Sequence, residues 1–185
     1  MDPKTMIVIA VAAIALLLVA WAVVRNRRRT VVLRQTFGPE YERVVREQGA
    51  GRADTVLLER QKRVEKFSLR TLTADERERF ITEWRIIQAR FVDNPPEAVN
   101  EADALVTGLM QFRGYPMSNF EQRAADISVH YPGVVNNYRA AHEVALRHQR
   151  GEATTEDLRN SMIYYRTLFD ELLETNAVRV KREVA

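Results

Sequence analysis

Hydrophobic positions follow two regimes along this chain. From Met6 to Val24, nineteen successive residues carry no charge, and no polar face interrupts them. Past residue 37 the apolar residues thin out and recur every three or four positions, the period of one face of an α-helix. Helices are expected over 39–47, opened by Pro39, and over 53–67, where Val56, Leu57, Leu58, Val64 and Phe67 are too sparse to make a full core face. That second segment reads as a mostly exposed arm. Five more helices follow, with stripes at Phe80/Trp84/Ile87/Phe91, Ala98/Ala102/Leu105/Val106/Leu109/Phe112, Phe120/Ala124/Ile127, Val134/Tyr138/Ala141/Ala145 and Leu158/Met162/Tyr165/Phe169/Leu172. Thr73 to Glu76 and Ser118 to Glu121 have capping-box spacing, and Thr154–Asp157 caps the last helix. Gly49-Ala50-Gly51, Asp93-Asn94-Pro95-Pro96, Arg113-Gly114-Tyr115-Pro116 and Gly151 punctuate them. Only Val178-Arg179-Val180 alternates like a strand. The expected class is all-α: an N-terminal transmembrane helix (6–24), a basic juxtamembrane segment with arm helices (25–72), a five-helix cytoplasmic bundle (73–174) and a frayed tail (175–185).

The membrane reading rests on length. Nineteen helical residues span about 28 Å, against about 30 Å of bilayer hydrocarbon. Trp21 lies where an indole suits the headgroup boundary. Arg25, Arg27, Arg28 and Arg29 follow at once. The positive-inside rule holds that flank in the cytoplasm, so residues 25–185 are expected inside an inner (plasma) membrane. A cleaved signal peptide is the rival, since Ala20-Trp21-Ala22 fits a cleavage pattern. Its positive n-region is thin, with Lys4 offset by Asp2, and its apolar run is long. No small-xxx-small pair marks the run for helix dimerisation, and oligomeric state stays open.

Charge divides the chain. The net charge is +3 over 185 residues, yet residues 25–70 hold 13 Arg/Lys against 6 Asp/Glu, and residues 71–174 hold 11 against 17. The arginines beside the apolar run suit anionic lipid. The acidic distal part is repelled by membrane and nucleic acid alike, and no aromatic-basic motif argues for nucleic-acid binding.

Chemistry is sparse. With no Cys and three His, disulfides, thiol catalysis, zinc fingers and iron–sulfur clusters are excluded. His142-Glu143 opens like a zincin helix, but position 146 is Leu. His142 then reads as a half-buried or surface residue, and His148 suits a helix C-terminus. No phosphate loop, nucleophile elbow or Glu-x-x-His pair occurs. No catalytic residue, cofactor or metal is expected, and the chain does not read as an enzyme. Arg113, Tyr115, His130 and Tyr131, at two turns, form a possible interaction surface. The competing reading makes the first turn a tight helix–helix connection with Tyr115 in the core.

Several blocks add up to a resemblance. Leu33-Arg34-Gln35-Thr36-Phe37-Gly38-Pro39-Glu40-Tyr41 follows the arginine cluster. Arg63-Val64-Glu65-Lys66, Arg90-Phe91-Val92-Asp93 and Arg113-Gly114-Tyr115-Pro116 come next. Phe120-Glu121-Gln122-Arg123-Ala124-Ala125-Asp126, Asn137-Tyr138-Arg139-Ala140-Ala141-His142 and Gly151–Leu158 complete the set. Over 33–174 the chain resembles a family of uncharacterised bacterial single-span membrane proteins, frequent in actinobacteria and other high-GC bacteria. The resemblance implies a short anchor and a helical cytoplasmic part, and it carries no catalytic residues. The expected function is a membrane-anchored interaction or scaffold module whose partners are membrane lipids and another protein. The alternatives are a small-ligand sensor binding between bundle helices and an anionic-lipid-binding protein.

Overall fold

The structure is a computed structural model that describes residues 3–174, with side chains described from residue 13 onward. Eight α-helices occupy these residues, with no strand among them. They are α1 (Pro3–Phe37), α2 (Pro39–Gln48), α3 (Ala50–Val64), α4 (Ala74–Arg90), α5 (Pro95–Phe112), α6 (Phe120–His130), α7 (Val135–Gln149) and α8 (Thr155–Leu173). The chain forms two compact units, Met1–Leu57 and Leu58–Ala185, and the boundary falls inside α3. The tail, with its strand-like alternation at 178–180, lies outside the described residues.

In the first unit α1 runs unbroken for 35 residues, through the arginine cluster and on to Phe37. Ile14, Leu16, Leu17, Leu18, Val19, Trp21, Val23 and Val24 are all exposed on it. Among the described residues no helix is long and apolar enough to cross a membrane. The expected crossing at 6–24 is therefore not supported by them. Only its part from residue 13 to Val24 has described side chains, about 18 Å of helix, before Arg25 begins the charged stretch. Below that stretch the helix gains a packed face, where Leu33 and Phe37 are buried along with Tyr41, Val44, Ala53 and Leu57. Gly38 (φ 48°) and Gly49 (φ 82°) turn the chain between helices. Helix α3 starts at Ala50, so the Gly-Ala-Gly stretch supplies one breaking residue rather than a linker.

In the second unit α8 packs on α7 and α5, α4 lies on α5, and α6 on α7. The stripes meet largely as the periodicity requires, although on α7 Val135 and Val144 are buried rather than Ala145. Phe80, Trp84, Ile87, Leu109, Tyr138, Tyr165, Phe169 and Leu172 share one core. Trp84 stacks on Phe169 with centroids 4.9 Å apart, and each such buried aromatic or aliphatic side chain contributes about 1.5–3 kcal/mol. The capping boxes at Thr73–Glu76 and Thr154–Asp157 both form. On α6 the cap sits one residue later than expected. Asn119 accepts from the Gln122 amide, and the Ser118 hydroxyl is buried.

The arm expected to be mostly exposed at 53–67 is largely half-buried, with Thr55, Glu59, Lys62, Glu65 and Lys66 exposed. Val64 is buried, the Arg63 Nε and Nη2 atoms bind Asp126 Oδ1 at 2.8 and 2.6 Å, and Arg60 Nη1 donates to Ser128 Oγ at 3.3 Å. The cationic side of α3 thus closes on α6. Apolar counting missed this because the contact is made by a carboxylate and a hydroxyl.

Candidate functional site

The four residues expected at an interaction surface do come together, but inside the second unit. Helix α5 ends at Phe112, and the chain reverses through Gly114 at φ 94°. This geometry swings the Arg113 side chain inward, leaving it 1% exposed. Its Nε donates to the Arg70 carbonyl at 3.2 Å, and its Nη1 to the carbonyls of Leu172 (2.5 Å) and Glu174 (3.2 Å). The Arg70 amide returns a bond to the Arg113 carbonyl at 3.0 Å. No carboxylate pairs with Arg113 among the described residues. The negative end of α8, with its unsatisfied last carbonyls, takes that role instead. Tyr115 is buried, and its hydroxyl meets His130 Nδ1 at 2.8 Å. Burial, and Tyr131 beside it, push the Tyr115 hydroxyl far above its ordinary pKa. Tyr131 is raised too, chiefly by burial and against the Arg113 charge. His130 is half-buried. The residues expected at a surface thus form an interior knot, with Arg113, Tyr115 and Tyr131 buried. Three main-chain carbonyls offset part of the cost of taking the guanidinium out of water, while its Nη2 is buried without a partner among the described residues.

A second polar cluster was not anticipated. Asp103 and Thr107 on α5, Arg123 on α6, Tyr138 and His142 on α7 and Tyr165 on α8 converge in the bundle. The Arg123 Nε donates to the Tyr138 hydroxyl at 3.4 Å, and its Nη1 to the Ser118 carbonyl at 2.7 Å. The His142 ring stacks on Phe120 with centroids 3.6 Å apart, and burial lowers its pKa despite the Asp103 charge. Asp103 Oδ1, Thr107 Oγ1 and the Tyr165 hydroxyl are buried without a hydrogen-bond partner among the described residues. Burial first, and Asp103 second, hold the Tyr165 hydroxyl far above its ordinary pKa. These residues come from four helices, so no local spacing announces them. The one readable trace is a pair of polar residues, Asp103 and Thr107, at helical spacing in the otherwise apolar stretch 102–110.

Between α4 and α5 an open groove of about 560 Å³ is lined by the apolar side chains of Phe80, Ile86, Ile87, Leu105 and Phe112, together with Gly108. Arg79 lies over the Phe80 and Phe112 rings, and Glu101 ion-pairs with Arg90 at the rim.

On α1 the arginines make a different surface. Arg25 lies over the Trp21 ring at 5.1 Å. Arg27, Arg28 and Arg29 are exposed, and no carboxylate pairs with them among the described residues. No group of three or more His, Cys, Asp or Glu could hold a metal ion among those residues. No family model, curated protein or solved structure matches the chain.

Proposed function

We propose that this chain is a membrane-anchored protein-interaction or scaffold module of the kind its sequence blocks resemble. In this reading residues 6–24 cross an inner membrane, Arg25, Arg27, Arg28 and Arg29 stay at the cytoplasmic headgroups, and residues 30–185 present a helical surface to another protein. One observation carries it: eight large apolar side chains from Ile14 to Val24 are exposed on α1, directly before arginines with no ion-pair partner among the described residues. Apolar surface on every side of a helix is costly in water and favourable in lipid. The α4–α5 groove, lined by these apolar side chains and charged at its rim, is the part of the bundle most suited to a partner helix. The test has two parts. Membranes carrying the full chain are washed with carbonate and then treated with protease. The chain is expected to stay in the pellet, with residues 30–185 digested only from the cytoplasmic face. Affinity capture from detergent-solubilised membranes then compares the full chain with a variant carrying Ile86→Glu and Leu105→Glu. A partner retained by the first and lost by the second supports the reading, whereas release by carbonate refutes the anchor.

A second reading, a small-ligand sensor, is favoured by the buried polar cluster of Asp103, Thr107 and Tyr165 between bundle helices, where Asp103 lies against the Tyr165 hydroxyl and Thr107 against Tyr138 without well-formed hydrogen bonds. Buried polar groups are nearly always satisfied, by protein, water or ligand. A saturable thermal shift with a polar metabolite, abolished by Thr107→Val, would support it. No shift across a metabolite panel would count against it.

A further inference from the structure

The charges of the membrane-proximal unit are sorted. Between residues 25 and 57 there are eight arginines and four carboxylates. Glu42 pairs with Arg34 at 3.1 Å, and Glu40 and Glu47 both face Arg43, at 3.7 and 2.8 Å. Asp54 is held by two hydroxyls, from Thr30 at 2.5 Å and from Tyr41 at 3.0 Å. Every carboxylate is thereby engaged, and within residues 25–57 these ion pairs occupy Arg34 and Arg43. Arg25, Arg27, Arg28 and Arg29 on α1, Arg46 in the last turn of α2 and Arg52 in the first turn of α3 are exposed, with no ion-pair partner among the described residues.

The Thr30–Asp54 bond also sets the height of the α2–α3 turn. Thr30 lies six residues past Val24 on one continuous helix, about 9 Å beyond the end of the apolar run. Asp54 must lie beside it, because both side chains are short. Arg52 is two residues from Asp54 on α3, so its backbone is within about 3 Å of the same level, whichever way α3 runs. The headgroup layer extends roughly 5–7 Å beyond the hydrocarbon. An arginine side chain reaches it from there.

We propose that the α2–α3 turn, through Arg46 and Arg52, is a second contact of this unit with anionic phospholipid headgroups, added to the contact made by Arg25–Arg29. The inference rests on the anchor reading above. Its function is to seat the first unit on the leaflet, with α1 and the turn as two separate footholds. The Asp54 carboxylate fixes the turn by hydroxyl contacts, which leaves the neighbouring arginines available to lipid phosphates.

The chain has no cysteine, so single-cysteine labelling of the full chain in vesicles tests this directly. The reporters are Ala50→Cys in the turn and Gln35→Cys, exposed on α1 about 16 Å beyond Val24. Val19→Cys reports insertion by its protection from a water-soluble maleimide. Vesicles are phosphatidylcholine with or without phosphatidylglycerol, doped with a headgroup-nitroxide lipid. The expected result is protection at position 19, strong quenching at position 50 only with phosphatidylglycerol, and weak quenching at position 35. Arg46→Gln with Arg52→Gln should shift the seated-to-lifted ratio by roughly 10- to 30-fold, from the contribution of a basic residue near an anionic surface. Protection at 19 with position 50 unquenched, or quenched equally without phosphatidylglycerol or in the double variant, overturns this inference and leaves the anchor standing. A reactive position 19 overturns both.

Discussion

Gly114 is the one glycine at which an added Cβ meets other atoms within 4 Å, and its replacement tests the knot around Arg113. A Cβ built there lies 2.5 Å from the Ser68 carbonyl oxygen and 3.2 Å from its carbon. The φ of 94° is itself unfavourable for an L side chain, by about 1–2 kcal/mol. The backbone around Ser68 cannot swing away freely, because Arg70 two residues on is bonded to Arg113 through both its amide and its carbonyl. Forcing extra volume into such a contact costs about 1–3 kcal/mol more. Gly114→Ala should therefore lose about 3 kcal/mol and lower the melting midpoint by roughly 10 °C. Two other glycines calibrate the number. Gly151 has φ 74° but open space around its Cβ, so Gly151→Ala should lose only the backbone part, about 1 kcal/mol. Gly108 sits inside α5 over open space at an ordinary φ, so Gly108→Ala should gain about 0.5–1 kcal/mol. The assay is thermal unfolding of the full chain in detergent, followed by far-ultraviolet circular dichroism. Equal losses for Gly114→Ala and Gly151→Ala would refute the close contact with the 67–70 segment.

Further outcomes follow from the same contacts. Arg63→Ala removes the cation from the buried Asp126 carboxylate and leaves it the Gln122 side-chain amide as a donor. It should cost about 2–3 kcal/mol, and Arg63→Ala with Asp126→Asn should recover part of that in a double-mutant cycle. The Asp157 carboxyl is held at about 2, first by the Thr154 backbone amide and then by the Thr154 hydroxyl and Arg147. Its folded pKa lies below the unfolded one, so its stabilisation is present above about pH 4 and fades as pH falls through about 2. Asp157→Asn should flatten acid unfolding in that window, as read by urea midpoints against pH. His142 is depressed by burial, so folding favours the neutral ring and this contribution is lost as pH falls below about 6.5. His142→Gln should remove that part of the pH dependence in the same titration. Leu17→Arg, at an exposed position within the apolar run, should cost about 2.5–3.5 kcal/mol of insertion and move the chain to the carbonate-soluble fraction.

What the sequence determined by itself is local. The bundle helices, their stripes and the caps at Thr73 and Thr154 depend on residues three or four positions apart, and those spacings are read directly from the chain. Gly151 at φ 74° at the end of α7 belongs to the same class. The candidate sites were legible only as residue types. Arg113, Tyr115, His130 and Tyr131 did gather, yet as an interior knot. Whether an arginine faces water or core depends on carbonyls at positions 70, 172 and 174, far along the chain. The same holds for the arm. Its sparse apolar residues suggested exposure, and Asp126, 63 residues away, closes it onto α6. The cluster of Asp103, Thr107, Arg123, Tyr138, His142 and Tyr165 required four helices to be placed before it existed at all. Periodicity reports which side of a helix seeks cover, because that is a property of one helix and water. Which polar groups then meet inside is decided by the packing of several helices, because a hydrogen bond or ion pair exists only once both partners are held within about 3 Å of each other.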